Sequence, residues 1–138
     1  MTTARDIMTT DVTCIGEGDS LQHAARMLRE LDVGALPICG ADNRLKGMLT
    51  DRDIVVKCIA DGGDPSIVTA GSLAEGKPVT VGADDDIREA LQVMQDHQVR
   101  RLPVIDGHDL VGIISQADVA LSLSPTQTAE TVAEISED

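Results

Sequence analysis

The sequence predicts an α+β fold made of two β-α-β-β-α repeats, related by a pseudo-twofold axis and packed sheet to sheet. The first observation is internal similarity: at an offset of 66 residues, Ile15 falls on Val81 and Leu36 falls on Leu102. The similarity continues at an offset of 65, because the turn that follows is one residue shorter in the second copy. The second observation is size. A unit of about 60 residues buries too little surface to be stable alone, so two copies are expected to support each other.

Both repeats show the same order of elements. After a short strand and a turn rich in Gly and Asp, capping residues such as Ser20 and Asp86 mark the start of a helix. Apolar residues then recur at helical spacing from Leu21 and from Ile87. The crossover predicts that the first two strands are parallel, and the tight turn predicts that the next two are antiparallel. The predicted strands are 12–15, 36–39 and 45–50 in the first repeat and 79–81, 102–105 and 110–115 in the second.

The chain therefore divides into a first repeat with its lead-in at 1–63, a second repeat at 64–123 and an acidic tail at 124–138. The connection at 60–69 contains Gly, Asp and Pro, which are typical of a linker, and the tail is expected to be flexible. The core must be aliphatic because the chain has no Phe, Tyr or Trp. Since aromatic side chains bury the most area, their absence favours a homodimer formed through apolar helix faces that remain exposed.

Composition excludes several classes of function. Without aromatic residues there is no stacking surface for single-stranded nucleic acid, and a net charge of −13 opposes binding to phosphate backbones. No segment approaches the roughly 20 apolar residues of a membrane helix. The N-terminus lacks the apolar run of a signal peptide, so a cytoplasmic location is expected. No motif at catalytic spacing is visible, and we expect no enzymatic activity.

The repeated motifs resemble those of the CBS domain (cystathionine β-synthase domain) family. They comprise DIM near the N-terminus, LPI at 36–38, LPV at 102–104, and the pattern L-x-G-hydrophobic-hydrophobic-[TS]-x-x-D that ends at Asp53 and at Asp118. The resemblance spans residues 4–122, and two such domains in tandem resemble a CBS pair, or Bateman module. It implies a regulatory protein that binds AMP, ADP, ATP or S-adenosylmethionine in a cleft between the repeats. The alternative is a ligand-free structural or interaction protein of a stress response.

The resemblance also assigns ligand contacts by position. Asp53 and Asp118 would accept hydrogen bonds from ribose hydroxyls, and Thr50 and Ser115 would lie beside phosphate at helix starts. The same four residues fit a purely structural role, because Thr and Ser are ordinary helix caps and Asp is an ordinary residue of the first turn. Both interpretations remain open at this point.

Further candidates surround these positions. Since no ring is present, adenine would lie between aliphatic side chains and backbone groups. For Arg100 and Arg101, the alternative to a phosphate contact is a solvated pair that balances nearby acidic residues. The candidate phosphate cations are Arg52, Lys46, Arg100 and Arg101. The candidate adenine walls are Ile15, Ile38, Val81 and Val104. Asp51, which is Gln116 in the second copy, places an additional carboxylate where phosphate would disfavour it.

The cysteines carry a hypothesis of their own. Cys14 and Cys39 lie near the carboxyl ends of two parallel strands, within the reach of a disulfide. A bridge closing this loop would add about 3 to 4 kcal/mol on the chain-entropy estimate. The alternative is two buried thiols, which a reducing cytosol favours. Cys58 has no evident partner.

No metal site is predicted. The three histidines lack the paired spacing of zinc ligands, and the Asp51-Arg52-Asp53 triplet has no counterpart in the second repeat. The histidines are His23, His97 and His108.

Overall fold

The computed structural model describes residues 1–74 and 78–123 and divides the chain into two compact units. The repeat-1 unit is Thr13–Pro78. The repeat-2 unit is Met1–Val12 together with the chain from Val79 onward. The tail predicted at 124–138 lies outside the described residues.

The elements follow the predicted order in both units. In chain order they are α1 (Ala4–Ile7), β1 (Ile15–Gly16), α2 (Leu21–Leu31), β2 (Ala35–Cys39), β3 (Leu45–Thr50), α3 (Asp51–Asp53), a π-helix that continues it (Ile54–Ile59), a 3-10 helix (Ala70–Leu73), β4 (Val81–Gly82), α4 (Ile87–His97), β5 (Arg101–Asp106), β6 (Asp109–Ser115) and α5 (Gln116–Ala120). Each unit holds one three-stranded sheet, ordered β1-β2-β3 and β4-β5-β6.

The predicted strand directions are confirmed. The first two strands of each sheet are parallel and the next two are antiparallel. The first strand is shorter than the predicted 12–15, since only Ile15 and the residue after it pair with β2. Pro37 explains why the pairing does not extend further back along the chain. The Glu17 N–H donates to the Cys39 carbonyl at 3.0 Å, so the backbone of Cys39 faces β1. Residues two apart in a strand face the same neighbour, so Pro37 also faces β1, and proline has no N–H to donate there.

The long helices begin and end as their caps require. Ser20 Oγ accepts a hydrogen bond from His23 N–H at 3.1 Å, which satisfies a free donor at the start of α2. The helix stops at Asp32, whose φ of 54° lies in the left-handed region. The second repeat copies this arrangement, with Asp86 as the N-cap of α4 and Gln98 at a φ of 55° after its last turn.

Each unit has a separate aliphatic core, because the inward face of its long helix covers its own sheet. The core of the repeat-1 unit contains Ile15, Leu21, Ala24, Leu28, Leu36, Ile38, Leu49, Ile54, Cys58 and Ala70. The core of the repeat-2 unit contains Ala4, Val81, Ala83, Ala90, Leu91, Met94, Leu102, Val104, Ile114 and Val119. In the described part of the chain no helix has the length and apolar character needed to cross a membrane.

The segments that precede the two repeats are exchanged between the units. We name residues 1–12 the first lead-in and residues 66–74 the second lead-in. The first lead-in packs on the second repeat, where Ala4 is fully buried and donates its N–H to the Asp85 carbonyl at 2.9 Å. In the repeat-1 unit, Ala70 of the second lead-in donates in the same way to the Asp19 carbonyl at 2.8 Å. These contacts are why the spatial units differ from the predicted division at residue 63.

Candidate functional site

The first candidate site lies where β3 passes into α3. Thr50 Oγ1 accepts a hydrogen bond from the Asp53 N–H at 3.0 Å, and Asp53 Oδ2 accepts one from the Thr50 N–H at 3.0 Å. The pair is thus a reciprocal capping box, which satisfies donors that a helix start leaves free. The structural role considered for these residues is present in the fold.

The second repeat builds the same arrangement where β6 passes into α5. Ser115 Oγ accepts from the Asp118 N–H at 3.1 Å, and Asp118 Oδ2 accepts from the Ser115 N–H at 2.9 Å. Each capping carboxylate uses one oxygen for the backbone. The chemistry available to a ligand therefore depends on the surroundings of the other oxygen.

The two copies differ at that other oxygen. Asp53 Oδ1 lies 3.6 Å from Lys57 Nζ, in an ion pair one helical turn along. The position equivalent to Lys57 in the second repeat is Ser122, whose hydroxyl donates to the Asp118 backbone carbonyl at 3.4 Å. Within residues 1–74 and 78–123, no Lys or Arg forms an ion pair with Asp118. Its second carboxylate oxygen has no competing cation there.

Two arginines flank the second copy. Arg101 lies opposite Ser115 in the β5–β6 register, and the Gln116 N–H donates to the Arg100 carbonyl at 2.7 Å. Both arginine side chains are exposed. The structure therefore brings this predicted cation pair beside the Ser115–Asp118 capping box.

The first copy has no such pair. Gly34 and Ala35 occupy the equivalent positions, and the Asp51 carboxylate lies beside Gly34. Arg52 is exposed on α3. Lys46 lies toward the other end of β3, where its Nζ is 3.6 Å from Asp42, so the structure does not bring it to Thr50.

The four candidate adenine walls are core residues. Ile15 pairs with Ile38 and Val81 pairs with Val104 in the parallel registers. Their side chains are at most 4% exposed. Contact of these side chains with adenine remains a prediction.

The cysteines occupy the other end of the first sheet. Cys14 and Cys39 form a disulfide with a Cα–Cα distance of 5.8 Å, which confirms the pairing over the alternative of two free thiols. Cys58 is a free, buried thiol in the core.

The histidines stand apart from one another. His23, His97 and His108 are all exposed, on α2, at the end of α4 and in the turn after β5. Within residues 1–74 and 78–123, no three His, Cys, Asp or Glu side chains converge as a metal-binding cluster would.

The sequence interpretation did not include three ion pairs that the structure shows. The Lys57–Asp53 pair is an i,i+4 pair of opposite charges, so a scan for such spacing would have found it. The ion pairs of Arg5 with Asp84 and Asp106 join residues far apart in sequence, and nothing in the local sequence indicates them.

Comparisons with known proteins agree with this organisation. The sequence profile of the CBS domain matches the chain twice, at residues 4–59 and 70–125. Hypoxic response protein 1 of Mycobacterium tuberculosis is 58% identical over 123 residues, covering 89% of this chain and 86% of that protein. The CBS domain-containing protein YhcV of Bacillus subtilis is 36% identical over 133 residues, covering 94% and 91% of the two chains. A crystal structure of Hypoxic Response Protein I with two coordinated zinc ions aligns with a TM-score of 0.84 at 58% identity, covering 89% of this chain and 100% of that one.

Proposed function

Because the chain belongs to the CBS domain family and carries two copies of its domain, we propose that it is a regulatory protein that senses an adenosyl ligand. The ligand class is AMP, ADP, ATP or S-adenosylmethionine, and no catalytic step is involved. The similarity to Hypoxic response protein 1 supports a role in a hypoxia or stress response.

The observation that carries the proposal is the state of the capping carboxylates. A ribose offers two neighbouring hydroxyl donors, and a carboxylate accepts them through oxygens that are not already paired with a cation. Asp118 meets this condition, since its Oδ2 serves the backbone and its side chain has no ion pair among the described residues. Arg100 and Arg101 beside Ser115 supply positive charge for a phosphate group in a chain of net charge −13.

Calorimetric titration of the full chain tests the proposal. The panel is AMP, ADP, ATP and S-adenosylmethionine, with zinc included because the similar solved protein coordinates it. We expect saturable binding of an adenosyl ligand that Asp118→Ala weakens by at least about tenfold, the loss of one charge-assisted hydrogen bond. Asp53→Ala measures the contribution of the first copy.

The matched control is Asp86→Ala. Asp86 also caps a helix, through the Arg88 N–H at 3.0 Å, but it lies outside the capping boxes. Its substitution should lower the melting temperature as Asp118→Ala does and leave the affinity unchanged. Equal loss of affinity in both variants, or no binding at millimolar ligand, would contradict the sensor function.

A second function, that of a ligand-free interaction protein, is favoured by one observation. Three apolar side chains within about one turn of the helix after β3 are exposed, at 58%, 45% and 51%. They are Val55, Val56 and Ile59. We propose that a second copy of the chain covers this surface in a homodimer, because burial of adjacent aliphatic side chains is the main favourable term in such association. If none of the ligands in the panel binds, this second function would be better supported than the sensor function.

A further inference from the structure

Within each unit, the lead-in contacts the same part of the repeat, the turn after the first strand of the sheet. The Arg5 N–H donates to the Ala83 carbonyl at 2.9 Å. The Gly71 N–H donates to the Glu17 carbonyl at 2.8 Å, at the position related by the 66-residue offset. The backbone contacts of the two lead-ins with this turn therefore match, and the side chains around the turn are where the two units differ.

In the repeat-2 unit the side-chain connection is ionic. Arg5 Nη2 lies 2.9 Å from Asp106 Oδ2, and Arg5 Nε lies 3.4 Å from Asp84 Oδ1. The guanidinium thus links the first lead-in to the turn after β4 and to the end of β5. Hydrogen bonds to both carboxylates raise the pKa of Arg5 further, so its charge is constant at every pH at which the protein is studied.

The repeat-1 unit has no charged residue at the three positions equivalent to Arg5, Asp84 and Asp106. Glycine occupies each equivalent position: Gly71 for the arginine, Gly18 and Gly40 for the two aspartates. Next to these positions lies the Cys14–Cys39 disulfide, which joins residues equivalent to Thr80 and Ile105 and does not include the second lead-in itself. The repeat-1 unit thus has a covalent bond beside the turn, whereas the repeat-2 unit has ion pairs to the lead-in.

The disulfide connects to the second lead-in through two consecutive backbone hydrogen bonds. The Cys39 carbonyl accepts from the Glu17 N–H at 3.0 Å, and the Glu17 carbonyl accepts from the Gly71 N–H at 2.8 Å. Strand β1 has only two residues, and within the turn at 16–19 the Gly16 N–H donates to the Asp19 carboxylate at 3.0 Å. The disulfide adds a covalent bond between Cys14, next to β1, and β2, beside the turn to which the second lead-in is bound.

We propose that the Cys14–Cys39 disulfide is a reducible latch, which a dithiol reductant opens to release the second lead-in from the repeat-1 unit. The first lead-in, held by Arg5, does not respond. The attachment of the second lead-in would then depend on the thiol–disulfide balance of the surroundings, while that of the first lead-in would not. This inference does not depend on the binding of an adenosyl ligand.

The dithiol reductant supplies the two electrons that open the disulfide. A thiolate of the dithiol attacks Sγ of Cys14, which is the half-buried residue of the pair, whereas Cys39 is only 5% exposed. The protein S–S bond breaks, a mixed disulfide forms at Cys14, and Cys39 leaves as a thiolate that takes up a proton. The second thiol of the reductant then displaces Cys14 as a thiolate, which is also protonated. Two electrons pass to the protein, and the dithiol becomes a cyclic disulfide.

Amide hydrogen exchange followed by NMR on the full chain tests the latch. Exchange is compared before and after treatment with dithiothreitol, with the gain of two hydrogen atoms verified by intact mass. The N–H groups of Ala70 and Gly71 should exchange at least about tenfold faster after reduction, because they lose their fixed acceptors. The N–H groups of Ala4 and Arg5, which make the equivalent bonds, should keep their rates.

Two variants separate the latch from general loosening. Arg5→Ala should give the opposite pattern, with faster exchange at Ala4 and unchanged exchange at Ala70. Cys58→Ser removes the third thiol, so that reshuffling cannot mimic reduction. If Cys14→Ser/Cys39→Ser does not fold, the reduced natural chain and its reoxidation still provide the comparison. Unchanged exchange at Ala70 and Gly71 in fully reduced protein, or equal acceleration in both lead-ins, would overturn the proposal.

Discussion

At the scale of the residue, the same side chains fulfil the structural role and remain the best ligand candidates. Thr50 with Asp53, and Ser115 with Asp118, cap their helices reciprocally through one carboxylate oxygen each. The sequence could predict the caps, since the residue types and the three-residue spacing are local. The ion pair of Lys57 with the second oxygen of Asp53 follows the i,i+4 spacing, so the sequence could have indicated this contact as well.

Replacing Ser115 by Ala should destabilise the protein by about 1 kcal/mol, since the Asp118 N–H loses its acceptor at the start of α5. Ser115→Thr is the matched control, because threonine keeps the hydroxyl. Urea unfolding curves of the three proteins measure the difference. Equal stability of Ser115→Ala and the natural chain would show that water replaces the cap without loss.

The first lead-in should make the protein sensitive to acid. The Thr3 backbone N–H donates to the Asp6 carboxylate at 2.8 Å, and this bond together with the Thr3 hydroxyl lowers the pKa of Asp6 below its ordinary value. A group with a lowered folded-state pKa contributes stability above its unfolded-state pKa and loses it as the pH falls through the lowered value. This contribution is therefore complete at neutral pH and disappears below about pH 4.

Asp6→Asn tests this contribution through the melting temperature as a function of pH. The variant should melt lower than the natural chain at pH 7, and the two curves should converge in acid, because asparagine does not titrate. Parallel curves over the whole range would contradict the assignment.

At the scale of the element, the exchange of lead-ins is the main feature that the repeat alone does not reveal. Thr9 and Ile113 exchange two backbone hydrogen bonds at 2.9 and 3.0 Å, so the first lead-in pairs with the exposed edge of β6. Such edges need covering to prevent pairing with other chains. In the sequence, residues 3–8 (TARDIM) match residues 69–74 (TAGSLA) loosely, which identifies equivalent segments but does not show which unit each one joins.

Gly112→Ala should loosen the first lead-in. A Cβ at this position would lie 2.8 Å from Met8 Cγ and 2.9 Å from the Thr9 carbonyl oxygen, so the lead-in would have to shift. We expect a loss of about 1 to 3 kcal/mol in the free energy of unfolding, the usual cost of overpacking. Gly18→Ala is the matched control, since a Cβ there meets no atom within 4 Å. Similar stability of the two variants in chemical denaturation would contradict the close approach.

At the scale of the whole molecule, the absence of aromatic residues has a clear consequence. Each unit builds its core from aliphatic, Ala, Met and Cys side chains alone, while Val55, Val56 and Ile59 stay exposed. These three side chains are therefore the surface through which we expect the homodimer to form.

Val55→Asp/Ile59→Asp should shift the chain from dimer to monomer in sedimentation velocity, because charges at a dimer contact would be buried without partners. Ile67→Asp introduces the same kind of charge at a side chain that is 74% exposed, outside this surface, and should leave the dimer intact. A natural chain that sediments as a monomer at all concentrations would exclude the homodimer.

The sequence by itself determined the repeats, the order of elements, the strand directions and the capping residues, and the family resemblance is confirmed. These features depend on local spacing and on a crossover whose geometry allows few solutions. Only the tertiary structure decided which repeat each lead-in joins, that Cys14 and Cys39 form a disulfide rather than two buried thiols, and that ion pairs of Arg5 hold the first lead-in. Such contacts depend on positions brought together by folding, and pairings of distant residues leave no periodic pattern along the chain.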